Sequence, residues 1–124
     1  MNAVLIVEDN LELRSLTARI LRQQGFEVFE ANHGLEALEL LTKQEIPIVL
    51  SDVKMPTMDG LQLLQEHRRR GGQSLFVLFS GDLCRDQINH AVPLGIFEFL
   101  EKGSSTSVLE VVRAAERYLL RRVS

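Results

Sequence analysis

Hydrophobic and polar positions alternate along this chain in two rhythms. Five short runs are wholly or largely apolar: AVLIV (3–7), FEVFEA (26–31), IPIVLS (46–51), LFVLFS (75–80) and IFEFL (96–100). Each has strand length and is rich in Val, Ile, Leu and Phe. The first, third and fourth are nearly continuous in their apolar character, as parallel strands are when both faces are covered. Between the runs the spacing changes to that of a helix. Leu13, Leu16, Ile20 and Leu21 recur before Gly25, Leu35, Leu38 and Leu41 before Pro47, and Leu61 and Leu64 before Gly71-Gly72. Val108, Val111, Val112, Ala115 and Leu119 mark a last helix. The segment 84–92 is short and closed by Pro93, leaving room for a helix of only about two turns.

The order β-α-β-α-β-α-β-α-β predicts an α/β fold: a parallel sheet with right-handed crossovers and helices on both faces. The length of 124 residues suits one domain with one sizeable core. Composition is ordinary, 45% hydrophobic and 25% charged, with no repeat or low-complexity tract. A formal charge of −3 argues against a protein that coats nucleic acid. The lone Cys84 cannot form an intrachain disulfide, and no apolar stretch approaches the roughly 20 residues of a membrane span. The N-terminus has neither a basic leader nor a small-residue cleavage site. A cytoplasmic setting with no membrane contact is expected.

In a parallel sheet every strand ends on one edge, and ligands bind in the crevice there. Glu8 and Asp9 follow the first strand, Asp52 the third, Ser80 closes the fourth and Lys102 follows the fifth. If the first and third strands are neighbours, three carboxylates converge. Each feature taken singly has a plainer reading. An acidic pair after a strand is commonly a turn or a helix cap, and Asp9 or Asn10 would serve as one. A lysine after a strand is commonly a solvated charge. Asp59, ahead of Gly60-Leu61, reads as a structural cap. The run Arg68-Arg69-Arg70 reads as a solvated helix end, where cations complement the dipole. His33, His67 and His90 share no metal-ligand spacing.

Together, VEDN (7–10), LSDVKMPTMDG (50–60), FSGD (79–82) and EKG (101–103) resemble the receiver domain of two-component response regulators (the CheY-like family) over essentially the whole chain. The resemblance implies a flavodoxin-like (βα)5 doubly wound, five-stranded parallel sheet of order 2-1-3-4-5. It implies one receiver domain over residues 1–124, with no output domain in the chain. Asp52 would be the phosphoacceptor, Lys102 and Ser80 would contact the phosphoryl group, and Mg2+ would be the cofactor. Asp9 and Asp52 would hold the metal directly, Glu8 largely through water, and Lys54 through its backbone carbonyl.

The chemistry supports that assignment. Carboxylates about 4 Å apart repel by roughly 4 kcal/mol at an effective dielectric near 20. A hard divalent cation reverses the sign, and magnesium favours carboxylate, phosphate and water oxygens. Aspartate can serve as a covalent nucleophile, and a metal with a lysine opposite spreads the charge of the incoming group. The family's mechanism is a population shift in which Ser80 moves toward the phosphoryl group and Phe99 fills the vacated space. The surface that changes would be the fourth helix, fifth strand and fifth helix, roughly residues 84–120. A sensor histidine kinase or phosphotransfer protein is the expected donor, and an output domain or target protein the expected recipient. A homodimer through the last helix is compatible with the pattern. The domain would act as a switch, catalysing only its own phosphorylation and dephosphorylation.

Three features depart from or extend the family pattern. Gly103 stands where many members have proline in cis, and a non-proline cis bond costs about 2.5–4 kcal/mol. Lys54 and Asp82 flank the site and are expected to pair across its mouth, impeding hydrolysis of the acyl phosphate. The fourth helix is short. A flavin module would need a Ser/Thr/Gly-rich loop after the first strand, where this chain has EDN. A haloacid-dehalogenase-type phosphatase would need an acid where Lys54 stands. The competing reading is a receiver-like adaptor that signals by protein binding without phosphorylation, in favour of which Gly103 is the main feature.

Overall fold

A computed structural model describes residues 2–82, 84–102 and 107–123. The Lys102–Gly103 bond, on which one expectation turned, lies outside the described residues. Five strands alternate with five helices: β1 (Ala3–Val7), α1 (Leu11–Gln23), β2 (Glu27–Ala31), α2 (Gly34–Lys43), β3 (Ile48–Asp52), α3 (Gly60–Arg69), β4 (Leu75–Ser80), α4 (Arg85–Ala91), β5 (Glu98–Glu101) and α5 (Val108–Val123). A single turn of 3-10 helix, Val92–Leu94, follows α4. Pro93 lies inside that turn, which is why α4 stops at seven residues. All strand pairs are parallel and the sheet order is β2-β1-β3-β4-β5, as the family resemblance implied.

Alternate residues of each strand feed two cores. Val4, Ile6, Leu50 and Val77 pack with Leu21 of α1 and Val112 and Ala115 of α5. Leu5, Val7, Val49, Phe76 and Leu78 pack with Leu38 of α2, Leu63 and Leu64 of α3 and Ala91 of α4. Covering both faces explains why the central runs are almost purely apolar. In α1 the outcome differs from the simplest reading of the pattern. Ala18 and Leu21 are fully buried, whereas Leu13, Leu16 and Ile20 are 44%, 51% and 41% exposed. Of the four residues that mark this helix in the sequence, Leu21 is buried and the other three lie largely on its outer side.

The amino edge of the sheet is closed by side chains from the end of α3. Arg68, read in the sequence as part of a solvated run, instead turns inward. It donates to the carbonyls of Leu94 at 2.7 Å, Ser74 at 2.8 Å, Gly72 at 3.0 Å and Gly95 at 3.5 Å. Its guanidinium also lies 5.7 Å from the centre of the Phe76 ring. Arg69 and Arg70 do match the solvated reading, both pairing with Glu66. These two arginines hold the Glu66 carboxyl down at about 2. His67 is buried beside Phe76, and its Nε2 accepts from the Ser74 amide at 3.3 Å. Gly72 passes so close to the imidazole that a Cβ there would lie 2.1 Å from the ring. Burial, then the neighbouring Arg68 charge, push the His67 pKa below its ordinary value.

Candidate functional site at the carboxyl edge of the sheet

Strand order and register bring the chemically capable residues together. β1 and β3 are neighbours, so Glu8 and Asp9, just beyond β1, reach the same crevice as Asp52 at the end of β3. Oxygens of Glu8, Asp9 and Asp52 all lie within 4.8 Å of one another. Lys102 enters from the other side. Its backbone N–H donates to the Ser80 carbonyl at 2.8 Å, fixing its root beside β4. Its Nζ then lies 2.9 Å from Asp52 Oδ2 and 3.6 Å from Glu8 Oε1. The convergence expected from the sequence is thus the observed geometry.

Burial differs sharply among these groups. Glu8 and Asp52 are 2% and 5% exposed, while Asp9 is open to solvent. Glu8 Oε2 accepts from the Asn10 amide at 3.1 Å, but the buried Oε1 has no hydrogen-bond donor. An unsatisfied buried carboxylate oxygen costs free energy unless something satisfies it. Burial, and after it the nearby Asp9 and Asp52 carboxyls, raise the Glu8 pKa despite the Asn10 amide and the Lys102 charge. At Lys102 burial pulls the pKa down, but the hydrogen bond and charge of Asp52, with Glu8 behind them, outweigh it and the net shift is upward. The group that suits this pocket is a hard cation with an appetite for oxygen. The donor set of two buried carboxylates, one of them Glu8 with its unsatisfied oxygen, and one exposed carboxylate fits a divalent ion of the magnesium type.

The flanking loops are held firmly. Gly60 opens α3 directly against the end of β3, where a Cβ would lie 2.4 Å from the Asp52 carbonyl oxygen. Its own amide donates to Val53 at 2.8 Å. Asp59 caps α3 in a reciprocal box with Gln62, as the sequence reading held. Asn10, rather than Asp9, caps α1, accepting from the Leu13 amide at 3.1 Å. Asp9 is thereby left free of capping duty. Thr57 adopts a φ of 71°, an uncommon conformation for a β-branched residue, within the loop that carries Lys54.

Ser80 is buried at the end of β4, its Oγ accepting from the Asp82 amide at 3.1 Å. Phe99 is half-buried in β5 and packs on the α2–α3 face. Lys54 and Asp82 are both exposed, and no ion pair joins them among the described residues.

One residue escaped the sequence reading. Arg14 of α1 donates to the Glu8 carbonyl at 2.7 Å, to Glu30 of β2 at 3.3 Å and to Asn32 at 3.1 Å. It ties the acidic loop to the neighbouring strand. Its spacing carried the signal: Arg14, Ala18 and Leu21 fall at i, i+4 and i+7, which is the inward stripe of α1.

With this geometry established, comparison with known proteins places the chain. The profile of the family described as "Response regulator receiver domain" matches residues 4–113. The chain belongs to the response regulator receiver family. Sporulation initiation phosphotransferase F of Bacillus subtilis is 28% identical to it over 116 residues, covering 94% of this chain and 92% of that protein. Sensor histidine kinase RcsC of Escherichia coli is 46% identical over 107 residues, covering 86% of this chain. The chain spans only 11–16% of the length of the sensor kinases it matches. Response regulator protein TrrA of Thermotoga maritima, solved in complex with Mg2+ and BeF, superposes with a TM-score of 0.81 at 24% identity, over 93% of this chain and 99% of that one. That likeness shows the fold. Receivers of this family occur in response regulators and hybrid kinases, and they are signalling switches rather than conventional enzymes. Magnesium and phosphoaspartate are typical of them. Among the described residues no helix is long and apolar enough to cross a membrane.

Proposed function

We propose that this receiver accepts a phosphoryl group on Asp52 from a histidine kinase or a phosphotransfer protein. The observation that carries the reading is the cluster of Glu8, Asp9 and Asp52 oxygens within 4.8 Å, with a buried Glu8 oxygen that has no donor within hydrogen-bond distance, the Lys102 ammonium standing 3.6 Å away. Asp9 and Asp52 would hold Mg2+ directly, with Glu8 behind them and the Lys54 carbonyl as a further ligand. Bound there, the ion would offset the charge of the carboxylates and of the incoming phosphoryl oxygens.

An Asp52 carboxylate oxygen forms the new P–O bond as the P–N bond to the donor imidazole breaks. The electron pair leaves on that nitrogen, which then takes up a proton. Lys102, already 2.9 Å from Asp52 and 3.6 Å from Glu8, supplies positive charge beside the acceptor carboxylate. Ser80 gives up the Asp82 amide and donates its hydroxyl to a phosphoryl oxygen. Phe99 moves inward behind it, altering the surface of α4, β5 and α5. Water attacking phosphorus later returns the carboxylate and inorganic phosphate. Residues 1–124 act as one receiver module in the cytoplasm, signalling to an output domain or target protein, with no direct contact to nucleic acid and with a homodimer through α5 as one route.

Incubation with magnesium and either acetyl phosphate or beryllofluoride tests the reading. We expect a mass increase of one phosphoryl group with the former, abolished by Asp52→Asn, and a spectral change with the latter. A folded wild-type protein inert to both would favour an adaptor that signals by binding alone.

A further inference from the structure

The ammonium of Lys102 has a neighbour that the proposed chemistry does not use. Its Nζ lies 5.5 Å from the centre of the Phe79 ring while also lying 2.9 Å from Asp52 Oδ2. We infer that Phe79 is a positioning residue, whose aromatic face holds the Lys102 ammonium at the acceptor carboxylate. This rests on the reading of Asp52 as phosphoacceptor and extends it to the residue that orients the cation.

The backbone places the ring and the lysine with little freedom. Phe79 stands opposite Asp52 in the β3–β4 register, and its carbonyl accepts from the Val53 amide at 3.0 Å. Ser80, the next residue, accepts from the Lys102 amide at 2.8 Å. Ring, carboxylate and lysine root are therefore fixed to three adjacent, hydrogen-bonded strands. Phe79 is half-buried and packs on the α1–α5 core, so the side chain is anchored by apolar contacts on that side.

An aromatic face suits this position for a chemical reason. Lysine carries a compact charge on a flexible four-carbon stem, and its orientation must come from its surroundings. A second carboxylate, Glu8, lies 3.6 Å from the same ammonium, beyond hydrogen-bond distance, so the single bond to Asp52 leaves the head group free to pivot unless something else holds it. The ring quadrupole attracts the ammonium within about 6 Å without taking a conventional hydrogen bond. The ring therefore leaves for an incoming oxygen those N–H donors that Asp52, and Glu8 at 3.6 Å, do not engage.

The test compares Phe79→Leu and Phe79→Tyr, each in the wild-type and Lys102→Met backgrounds, with folding verified by thermal melts. The readout is the initial rate of phosphorylation by acetyl phosphate with saturating magnesium. We expect Phe79→Leu to slow the wild-type protein about three- to fivefold, and to change nothing further when Lys102 is already methionine. Phe79→Tyr should restore the rate. A leucine variant as fast as wild type, or one equally slowed in both backgrounds, overturns the inference. A second measurement stands apart from phosphorylation: the Lys102 Hε protons should show an upfield ring-current shift in wild type and Phe79→Tyr, lost in Phe79→Leu. Were the wild-type protein inert to phosphodonor, the functional reading would fail, and this shift alone would decide the placement. Its absence from wild type overturns the inference.

Discussion

The two ends of the sheet bury polar groups in opposite ways. At the amino edge, Arg68 is surrounded by carbonyl oxygens and His67 accepts an amide hydrogen, so each side chain meets complementary groups. At the carboxyl edge, Glu8 and Asp52 are more deeply buried than the half-buried Arg68, yet three carboxylates lie together and one Glu8 oxygen has no donor within hydrogen-bond distance. Each edge also uses a glycine where a Cβ has no room, Gly72 under the His67 ring and Gly60 against the Asp52 carbonyl. Close packing is therefore common to both ends, and completeness of hydrogen bonding is what separates them. A satisfied edge holds the fold, and an unsatisfied one is arranged for something that arrives.

If that contrast is right, removing a charge should have opposite effects at the two ends. Arg68→Ala strands up to four carbonyls and should destabilise the protein by about 3 kcal/mol. Arg68→Lys should recover less than half of that, because an ammonium cannot span the same fork of acceptors. Glu8→Gln has the other sign. It relieves repulsion with Asp9 and Asp52 and should stabilise the metal-free protein by about 1 kcal/mol. The same variant should lose most of the stabilisation that magnesium gives wild type, which at a tenfold excess over Kd is about 1.4 kcal/mol. Urea unfolding with and without magnesium measures all of these. A Glu8→Gln protein less stable than wild type without metal would erase the distinction between the edges.

The histidine sharpens the comparison through pH. Burial lowers the His67 pKa in the folded state below its ordinary 6.5. Between those two values the unfolded chain binds the proton first, so stability is full above pH 6.5 and declines as pH falls toward the folded value. Below that value the folded form is protonated as well and the decline levels off. His67→Phe should be less stable overall, having lost the acceptor for the Ser74 amide, but its unfolding should lack this component of the pH dependence. Urea midpoints from pH 7.5 downward compare the two, and parallel curves would show that His67 is not the group titrating.

Much of this organisation was legible in the sequence because it depends on order and spacing. Five apolar runs with helices between them dictate parallel strands, and parallel strands gather their ends. Asp52, Lys102 and the Glu8-Asp9 doublet could be placed on one edge by that argument alone. What was not legible depends on which way a side chain turns. Arg68 sits in a run of three arginines, and nothing local distinguishes it from Arg69 and Arg70; only the carbonyls of the loop before β4 and of the turn after α4 make it different. In α1, leucines dominate the pattern while a small alanine and an arginine share the inward stripe with Leu21, so apolar content misstates the buried face. Phe79 resembles its apolar neighbours in β4, and its relation to Lys102 arises from register between strands separated in sequence.

The smallest expected effect lies at the mouth of the carboxyl edge. Lys54 and Asp82 are exposed and unpaired with each other here, while Asp82 donates its amide to Ser80 Oγ. If Ser80 turns toward a phosphoryl group, that amide is released and the loop after β4 can draw in toward Lys54. The pairing expected across the mouth would then form only in the phosphorylated state, and its function would be to obstruct the attacking water. Exposed ion pairs are weak and screened by salt, so replacing both residues with alanine should leave stability within about 0.5 kcal/mol of wild type. The phosphorylated lifetime should shorten by about two- to threefold, and high salt should shorten the wild-type lifetime but not that of the double variant. Following decay of the phosphorylated mass at two ionic strengths checks both statements. An unchanged lifetime in the double variant would assign water exclusion to the apolar walls of the pocket and leave the two charges without a part in it.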